Sequence, residues 1–572
     1  MKTWASAILI LVAATSSWAT TYYVNNCVFR SDENIGNDSN NGVSISTPWL
    51  TLARVNAQTF HPGDFVRLEK TCTWRESLTV PSSGTSSNPV TFGAYGTGAS
   101  PIITGANNIT GFSMVTSNVW DTSVATRPYV VAVAVHPPKA MTASKAALAA
   151  PGDWYWATGI LSIYATSDPS GTVEAGARDN PVSTNNQTYV TLDSLDIKHG
   201  NLPFGTAHGT LKVGFTNVTG IVIHNSIIEG GSANGIDIHG TTTHDFTITN
   251  SVIQNNGGWG VFVNNPGYTF GTIGNSTVAG NGWASVTYGQ QFAGIEGYLG
   301  NISIYGNTVY ANGPVCSVLH QCHGIYGLED TNVANIYNNV VYGNPTGSGI
   351  KIIGSANVYQ NVIYGNYDFG IGPGQNRLGS SVVYNIWGNI IHDNNTSNSG
   401  GGIVEQSMVG PVSLSIYNNT LYNNSGSANQ ELFIDDVVSV LNVENNILYT
   451  PNLLRRTIRV SHPQTGTVII NNNIHWRPDG NPNISYNGAN VTWAQWQALG
   501  YDTNGINGDP LLSNPSARNL WLQFGSPAIN VGANLGTAYE RGLDRSSVWP
   551  SAVVLDNQNT YGWEIGAYVY KP

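Results

Sequence analysis

Along the middle of the chain, apolar positions come in short runs of Val, Ile and Tyr, separated by Asn, Gly and Ser. Ile336-Tyr337, Val340-Val341 and Ile350–Ile352 are three such runs within one stretch. Runs of this length and composition, bounded by turn-forming residues, are typical of β-strands. No stretch of this region keeps an apolar 3.6-residue period long enough for a crossover helix, which disfavours strand–helix folds.

Two short phrases recur through the same region. Self-similarity at a period of about 20 to 50 residues indicates stacked structural repeats. We therefore predict an all-β fold, a parallel β-helix with one coil per repeat, in which aligned asparagines form amide ladders. The Asn-x-aliphatic phrase stands at Asn225, Asn250, Asn307, Asn339, Asn361, Asn389, Asn419 and Asn446, and in looser form at Asn275. The Gly-Ile/Val phrase begins at Gly235, Gly260, Gly294, Gly324, Gly349, Gly370 and Gly402.

The composition, net charge and N-terminal segment indicate the partners and the location of the protein. The chain has 65 glycines and 10% charged residues, against roughly 25% charged residues in ordinary domains. Its net charge of −11 disfavours nucleic acid as a partner, because phosphate binding needs a basic surface. Residues 1–19 combine Lys2, the apolar run Ala7 to Ala14 and a small-residue ending, which predicts a signal peptide. We expect a monomer secreted to the extracellular space or periplasm, without a membrane partner.

The four cysteines predict two disulfides, since disulfides are favoured in exported chains. Cys316 and Cys322 are close enough in sequence to close one turn, and Cys27 and Cys72 would then join two parts of the N-terminal segment. A metal site made of the sequence cluster from Cys316 to His323 is the alternative. Its spacing is not that of a paired Cys-x-x-Cys site, so the disulfide is favoured.

Several phrases near the two ends resemble exported bacterial proteins of the pectate-lyase-like superfamily, and most of the mature chain is covered. The resemblance implies a right-handed parallel β-helix with an N-terminal cap. It leaves the reaction open, because the superfamily includes lyases, glycoside hydrolases, epimerases and non-enzymatic adhesins. The phrases are His61-Pro62-Gly63-Asp64, Thr73-Trp74-Arg75-Glu76, Phe92-Gly93-Ala94-Tyr95-Gly96, Gly152-Asp153-Trp154-Tyr155-Trp156, Asp509-Pro510-Leu511 and Gly525-Ser526-Pro527-Ala528-Ile529.

The same patterns divide the chain into five segments. Residues 1–19 are the predicted signal peptide, 20–110 a cap with the first rungs, and 111–185 an inserted β-rich segment. Residues 186–480 are the rungs of the β-helix, and 481–572 cap its C-terminal end. A cap is expected at each end because a terminal rung would otherwise expose the core.

The Gly-Ile phrase also predicts which side chains share a face. Side chains alternate across a strand, so Ile points inward and the next residue outward. Stacking the phrases gives an outward column of Asp237, Phe262, Glu296, Tyr326, Lys351, Gly372, Val404 and Ile434. Residues two positions later form a second column of His239, Asn264, Tyr298, Leu328 and Ile353. Titratable groups cluster between Asp237 and Lys351, which predicts a localised site.

The lead hypothesis is β-elimination on a uronic-acid-containing polysaccharide. This reaction needs a neutraliser for the carboxylate, a base for the C5 proton and an acid for the leaving oxygen. Lys351 or His323 is the candidate base and Tyr326 the candidate acid. Arg377, or a Ca²⁺ held by Glu296 and Asp237, is the candidate neutraliser. The residues expected to contact substrate are Asp237, His239, Tyr298, Glu329, Asp330 and Arg377.

Two alternative functions stay open. Glycoside hydrolysis needs two carboxyl groups at a defined separation, and Glu296, Glu329, Asp330 and Asp237 are candidates. A non-catalytic glycan-binding or adhesive solenoid would use the groove only to hold sugar. Lys351 would then be an isolated solvated lysine beside structural tyrosines. Glu405, Asp435 and Asp436 form a further candidate cation site, and the recurring tyrosines are either a sugar platform or a stabilising stack: Tyr310, Tyr342, Tyr364, Tyr422 and Tyr449.

Overall fold

A computed structural model describes residues 19–571, apart from fourteen positions or short segments. These are residues 28–34, 135, 204–208, 215, 217, 241–243, 265–268, 329–331, 375–378, 380, 395–399, 407–409, 425–429 and 561. Most of the predicted signal peptide therefore lies outside the described residues. Between the ends, three long sheets wind around one axis as a parallel β-helix.

Apart from the two ends, each coil contributes one strand to sheet 1, then one to sheet 2, then one to sheet 3. Sheet 1 contains Thr21–Val24, Phe65–Glu69, Val90–Tyr95, Val190–Asp193, Val218–His224, His244–Thr249, Thr269–Gly274, Ile302–Tyr305, Ala334–Tyr337, Ala356–Tyr359, Val382–Trp387, Val412–Tyr417, Val440–Glu444 and Thr467–Asn471. Sheet 2 contains Thr73–Trp74, Ile102–Thr104, Asp196–Lys198, Ile227–Glu229, Val252–Gln254, Thr277–Ala279, Thr308–Tyr310, Val340–Tyr342, Val362–Tyr364, Ile390–His392, Thr420–Tyr422, Ile447–Tyr449, Ile474–Trp476 and Ile506–Asn507.

Sheet 3 carries the candidate site. It contains Leu78–Thr79, Val182–Ser183, Gly209–Val213, Asn234–His239, Val261–Asn264, Ile295–Gly297, Ile325–Gly327, Ile350–Ile352, Ile371–Pro373, Gly401–Glu405, Gln430–Ile434, Arg456–Val460, Ile484–Tyr486 and Ala489–Val491. All neighbours in the sheet are parallel except the last two, which form an antiparallel pair. The predicted parallel β-helix is confirmed.

The core consists of aliphatic side chains that point inward from the three sheets and stack from coil to coil. On sheet 3, Ile236, Val261, Ile295, Ile325 and Ile350 are all fully buried. These are the aliphatic residues of the Gly-Ile/Val phrase. Burying such a side chain contributes about 1.5–3 kcal/mol, so the repeated phrase also supplies much of the driving force for folding.

Two buried amide ladders follow the corners of the coil. In the first, the backbone N–H and side-chain amide of Asn339 both donate to Asn361 Oδ1 at 3.0 Å. Asp502 ends this ladder, which runs through Asn307, Asn339, Asn361, Asn389, Asn419, Asn446 and Asn473. The second runs through Asn256, Asn281, Asn312, Asn344, Asn366, Asn394 and Asn424, and ends at Glu431.

Three asparagines of the recurring phrase do not belong to the ladder. Asn225, Asn250 and Asn275 have positive φ angles of 49°, 51° and 50°, a left-handed conformation that asparagine tolerates well. The ladder position is the next residue, where Ser226 and Ser251 stand in those coils and the Ser251 hydroxyl accepts from Ser226 N. The sequence therefore predicted the ladder correctly from Asn307 onward and one residue early before it.

Aromatic rings stack in the same way. Tyr310, Tyr342, Tyr364 and His392 lie on sheet 2 with ring centroids 5.0, 4.9 and 5.0 Å apart and nearly parallel planes. A second stack that the sequence did not single out occupies sheet 1, where its members are Tyr305, Tyr337, Tyr359 and Trp387.

An antiparallel unit interrupts the coils in the N-terminal half. Its three-stranded sheet contains Ala106–Ile109, Val173–Gly176 and Val131–Val133. Its four-stranded sheet contains Ser113–Thr116, Val119–Ser123, Trp154–Ala157 and Ile160–Tyr164, and a 3₁₀ turn covers Lys145–Ala147. Trp154, Leu161 and Ile163 belong to a separate small core, so this unit, which we call the insertion, packs around its own apolar residues.

Short helices and hairpins lie near the two ends and beside the site. The α-helices are Leu52–Asn56, Ser285–Tyr288 and Trp493–Ala498, and two 3₁₀ turns cover Pro515–Ala517 and Gln558–Thr560. The C-terminal strand pairs are Leu512–Asn514 with Asn519–Leu522 and Arg541–Leu543 with Leu555–Asn557. Thr492 and Gln495 form a capping box at the start of the last α-helix, which buries Trp496 against the final coil.

Both predicted disulfides are present, Cys27–Cys72 and Cys316–Cys322. Disulfides persist in oxidising compartments, so the pair indicates that the protein works outside a reducing cytosol. Among the residues that the structure describes, no helix is long and apolar enough to cross a membrane.

Candidate active site on sheet 3

The predicted outward column is confirmed where the Gly-Ile phrase marks it. Glu296 pairs directly with Tyr326, and Tyr326 with Lys351, on neighbouring strands of sheet 3. Such neighbours lie about 4.8 Å apart. The prediction is wrong at its end, because Val404 pairs with Phe433 and Ile434 is buried in the core. That coil has no Gly-Ile phrase, so the sequence had nothing to set the register.

A second column was missed by the sequence analysis. It consists of the residue before each Gly-Ile phrase, whose side chain lies beside the outward residue three positions later. Trp259 stacks on Phe262 at 4.2 Å between ring centroids, and His323 meets Tyr326 edge-on at 5.1 Å. A Cβ on Gly372 would come within 2.0 Å of the Phe369 ring. These neighbours could have been identified from the sequence, because each directly precedes the glycine of a Gly-Ile phrase.

The two columns enclose a small cavity of about 80 Å³, which we call the Lys351 cavity. This is space for a substrate carboxylate and a few waters, with the rest of a sugar ring at its mouth. Its lining residues are His320, Gln321, His323, Tyr326, Lys351, Asp368, Phe369 and Gln406. The Cys316–Cys322 disulfide closes the turn that carries His320 and Gln321.

Lys351 lies at the floor of this cavity and is only 3% exposed. Its Nζ lies 5.2 Å from the centre of the Phe369 ring, an arrangement that favours a charged ammonium. The carboxylate of Asp368 lines the same space, and its Oδ1 is 3.6 Å from His320 Nδ1. The cavity therefore places a buried lysine beside an aromatic ring and a carboxyl group.

His323 is a neutral hydrogen-bond donor in this setting. Burial, followed by the charges of Lys351 and His320, lowers the pKa of His323 to about 3. The backbone N–H of Ser348 donates to His323 Nδ1 at 3.0 Å, so the ring proton is on Nε2. A base needs a lone pair aimed at the substrate, and the Nδ1 lone pair is already used. His323 is thus better suited to stabilise negative charge than to remove a proton.

Glu296 belongs to the column but does not line the cavity. Its Oε2 accepts a hydrogen bond from Trp259 Nε1, and Trp259 packs between Phe262 and Phe292. Burial raises the pKa of Glu296 to about 8, so its carboxyl group is protonated at neutral pH. The structure brings Tyr326, Lys351 and His323 together at the cavity, whereas Glu296, although it pairs with Tyr326, is buried beside Trp259 of the preceding coil.

Asp237 and His239 form a different polar cluster, nearer the N-terminus of the same sheet. Asp237 is 1% exposed, accepts from Asn234 Nδ2 at 3.1 Å, and its pKa is raised to about 7 by burial. His239 Nδ1 is 4.0 Å from Asp237 Oδ1, and burial lowers the pKa of His239. Phe262 separates Asp237 from Glu296 in the column.

The remaining candidates are the predicted calcium site and four further residues expected to contact substrate. Among the described residues, no three His, Cys, Asp or Glu side chains converge as a metal-binding group. Tyr298 is half-buried after the strand Ile295–Gly297 and lies outside the cavity lining. Glu329, Asp330 and Arg377 lie outside the described residues.

The acidic trio of later coils forms a compact cluster of its own. Glu405 Oε2 accepts the backbone N–H groups of Asp435 and Asp436 at 2.8 and 2.9 Å. Burial raises the pKa of Glu405 to about 7. Its contacts are thus backbone hydrogen bonds that fix the following turn.

The sequence matches no model of a known protein family and no curated protein. Among solved structures, the chain is similar to XylC in complex with xylose, at 16% identity, covering 71% of this chain and 69% of that one, with a TM-score of 0.48. It is also similar to a glycoside hydrolase, at 12% identity, 69% and 95% coverage and a TM-score of 0.48. The pectate lyase Pel9A is 12% identical, with 97% and 98% coverage and a TM-score of 0.37.

Proposed function

We propose that this protein is a secreted enzyme that cleaves a uronic-acid-containing polysaccharide by β-elimination at the Lys351 cavity. The observation that carries the proposal is the direct pairing of Tyr326 with Lys351 on neighbouring strands, both facing one small cavity with His323. A proton-transferring phenol, a buried cation and a neutral donor are the groups that this reaction uses.

Lys351 is assigned to the substrate carboxylate. Removal of the C5 proton places negative charge on that carboxylate, and a fixed ammonium in a water-poor cavity stabilises this charge more than bulk water would. His323 Nε2–H is a second donor to the same oxygens, because Nδ1 is held by Ser348. Together these groups perform the neutralising role that the sequence analysis gave to Arg377 or Ca²⁺.

Tyr326 is assigned to proton transfer. Its phenolic oxygen takes the C5 proton as a base and returns a proton to the leaving oxygen as an acid, so that one group serves both steps. Lys351, one strand away, stabilises the phenolate by Coulomb attraction. In the rival assignment, Lys351 is itself the base, as the sequence suggested. Phe369 favours the charged, proton-bearing form of Lys351, which supports the role of cation.

Glycoside hydrolysis is the second candidate, and one observation favours it. Glu296 carries a proton at neutral pH because burial raises its pKa to about 8, as a general acid requires. Asp368 would be the partner carboxylate in the cavity. Hydrolysis nevertheless needs both carboxyl groups at the scissile bond, and Glu296, which accepts a hydrogen bond from Trp259, does not line the cavity.

The test is incubation with a panel of uronate polymers, such as polygalacturonate, alginate, glucuronan and chondroitin, with and without added calcium. β-Elimination gives an unsaturated product that absorbs in the ultraviolet, whereas hydrolysis gives reducing ends without this absorbance. We expect unsaturated product from at least one polymer and its loss in Lys351→Ala. Reducing ends alone would favour hydrolysis. Full activity of Lys351→Ala would contradict the assignment of Lys351, and binding without any cleavage would indicate a non-catalytic glycan-binding solenoid.

A further inference from the structure

A second cavity lies where the insertion meets the solenoid, and we call it the insertion cleft. Its volume is about 340 Å³, within the range of small-ligand sites, which are common at boundaries between structural units. Ala132, His136 and Pro138 line it from the insertion, and His199, Glu229 and Asn255 from the solenoid. It shares no lining residue with the Lys351 cavity.

His199 stands where the backbone favours a different residue. In many coils, the residue that directly follows the sheet 2 strand has a left-handed backbone. Examples are Gly230, Asn255 and Gly280, with φ angles of 69°, 55° and 65°. His199 has a φ of 55° at the equivalent position. A left-handed backbone is less favourable for a residue with a side chain than for glycine, so this coil keeps a histidine where glycine is easier to accommodate.

The histidine ring is held by the insertion. Glu174, on the strand Val173–Gly176, has its Oε2 3.0 Å from His199 Nδ1 and its Oε1 2.6 Å from an Arg75 nitrogen. Despite the opposing effect of burial, hydrogen bonds from His199 and Arg75 lower the pKa of Glu174 to about 2. The Nε2–Cδ2 edge of His199 faces Gly230, where a Cβ would come within 2.7 Å of the ring. Glycine at position 230 therefore keeps this edge uncovered.

Glu229 supplies a fixed carboxylate to the cleft. Its Oε1 is 2.7 Å from Lys198 Nζ, and its Oε2 accepts from Gln254 Nε2 at 2.7 Å. Each oxygen has a second lone pair for a ligand hydroxyl. The nearby Lys198 and Arg75 are already paired with protein carboxylates, and neither is among the described residues that line the cleft.

We propose that the insertion cleft binds one neutral sugar residue of a polysaccharide. Glu229 and Asn255 would bind neighbouring hydroxyls, His199 would hydrogen-bond through Nε2, and the apolar face of the ring would lie against Pro138. The absence of an uncommitted cation among the described lining groups favours an uncharged sugar over a uronate. The inference rests on the proposed function in one respect, that the substrate is a polysaccharide. The sugar residue in the cleft would lie away from the bond that is cleaved.

The experiment measures binding without cleavage. The Lys351→Met variant of the full chain is titrated calorimetrically with neutral xylo-, manno-, gluco- and galacto-oligosaccharides. Ala132→Trp fills the cleft, and Ala134→Trp, at an exposed position just beyond the same strand, is the matched control. Glu229→Gln removes the charge while preserving the shape, and it decides the question if Ala132→Trp does not fold.

We expect at least one of these oligosaccharides to bind, with affinity at least tenfold weaker in Ala132→Trp and Glu229→Gln and unchanged in Ala134→Trp. The proposal is overturned if no neutral oligosaccharide binds, or if binding survives both cleft variants. Because binding is read without turnover, a protein that binds neutral sugars in the cleft but cleaves no uronate polymer would disprove the proposed reaction alone. Cleavage of uronates without such binding would disprove the cleft alone.

Discussion

Sheets 2 and 3 are both built from parallel strands that stack from coil to coil. They differ in which side chains lie next to each other on neighbouring strands. On sheet 2 like stacks on like, with Tyr342 between Tyr310 and Tyr364. On sheet 3 the chemistry changes at every coil, so that a carboxyl, a phenol and an ammonium follow one another at Glu296, Tyr326 and Lys351. In a solenoid, repetition of one residue type stabilises the stack, and a break in repetition concentrates different groups at one place.

The largest effect should come from the cation on sheet 3. Lys351→Met keeps the length of the side chain and removes the charge, and we expect a loss of about 10²–10³ in kcat/KM, as when one transition-state stabiliser is removed. The rate of unsaturated product formation is the measurement. Lys139→Met is the control, because Lys139 forms an exposed ion pair with Asp153 in the insertion. Equal losses in both variants would mean that charge at the cavity is not the cause.

In the first amide ladder, by contrast, a substitution should lower the stability of the fold. Asn361→Ala removes the acceptor of two Asn339 donors and the donor to Ile336 O and Asn389 Oδ1. An orphaned buried polar group costs about 1–3 kcal/mol, so the free energy of unfolding should fall by about 3 kcal/mol or more. Chemical denaturation measures it. A stability loss no greater than that of an exposed Asn481→Ala would contradict the structural role of the ladder.

The sequence predicted the sheet 3 alignment because the Gly-Ile phrase fixes both the inward residue and the strand register. It did not predict that Glu296 is buried beside Trp259, since Trp259 lies in the turn before Val261–Asn264, the strand of the preceding coil, and the path of a turn depends on its length. For the same reason Asp368 and Phe369 were missed, although both line the Lys351 cavity. Periodicity thus predicts which residues align, whereas burial depends on the irregular segments between them.

Sheet 3 should also respond to pH, through the buried carboxyl group of Glu296. The pKa of Glu296 is raised to about 8 in the folded state, against about 4.3 in an unfolded chain. Its contribution to stability is therefore fully present below about pH 4 and is lost as pH rises through about 8. Glu296→Gln should reduce this decline in melting temperature between acid and neutral pH. An unchanged pH profile would show that Glu296 is ionised in the folded protein.

A smaller effect is expected in the tyrosine stack. Tyr342→Leu keeps apolar bulk but removes two aromatic contacts at 5.0 and 4.9 Å, which together are worth about 1–3 kcal/mol. We expect a modest fall in melting temperature and no change in the rate of cleavage. A large loss of activity would instead indicate that the stack is a sugar platform.

One substitution made on both sheets tests the comparison most directly. Tyr326→Phe and Tyr342→Phe each remove a single phenolic oxygen, and the rate of unsaturated product formation from a cleaved uronate polymer is measured for both. We predict a loss of at least about a hundredfold for Tyr326→Phe, as for removal of a general acid–base group, and wild-type activity for Tyr342→Phe. If Tyr326→Phe retains wild-type activity, the proton is transferred by another group and the assignment of the reaction to this pair of strands is wrong.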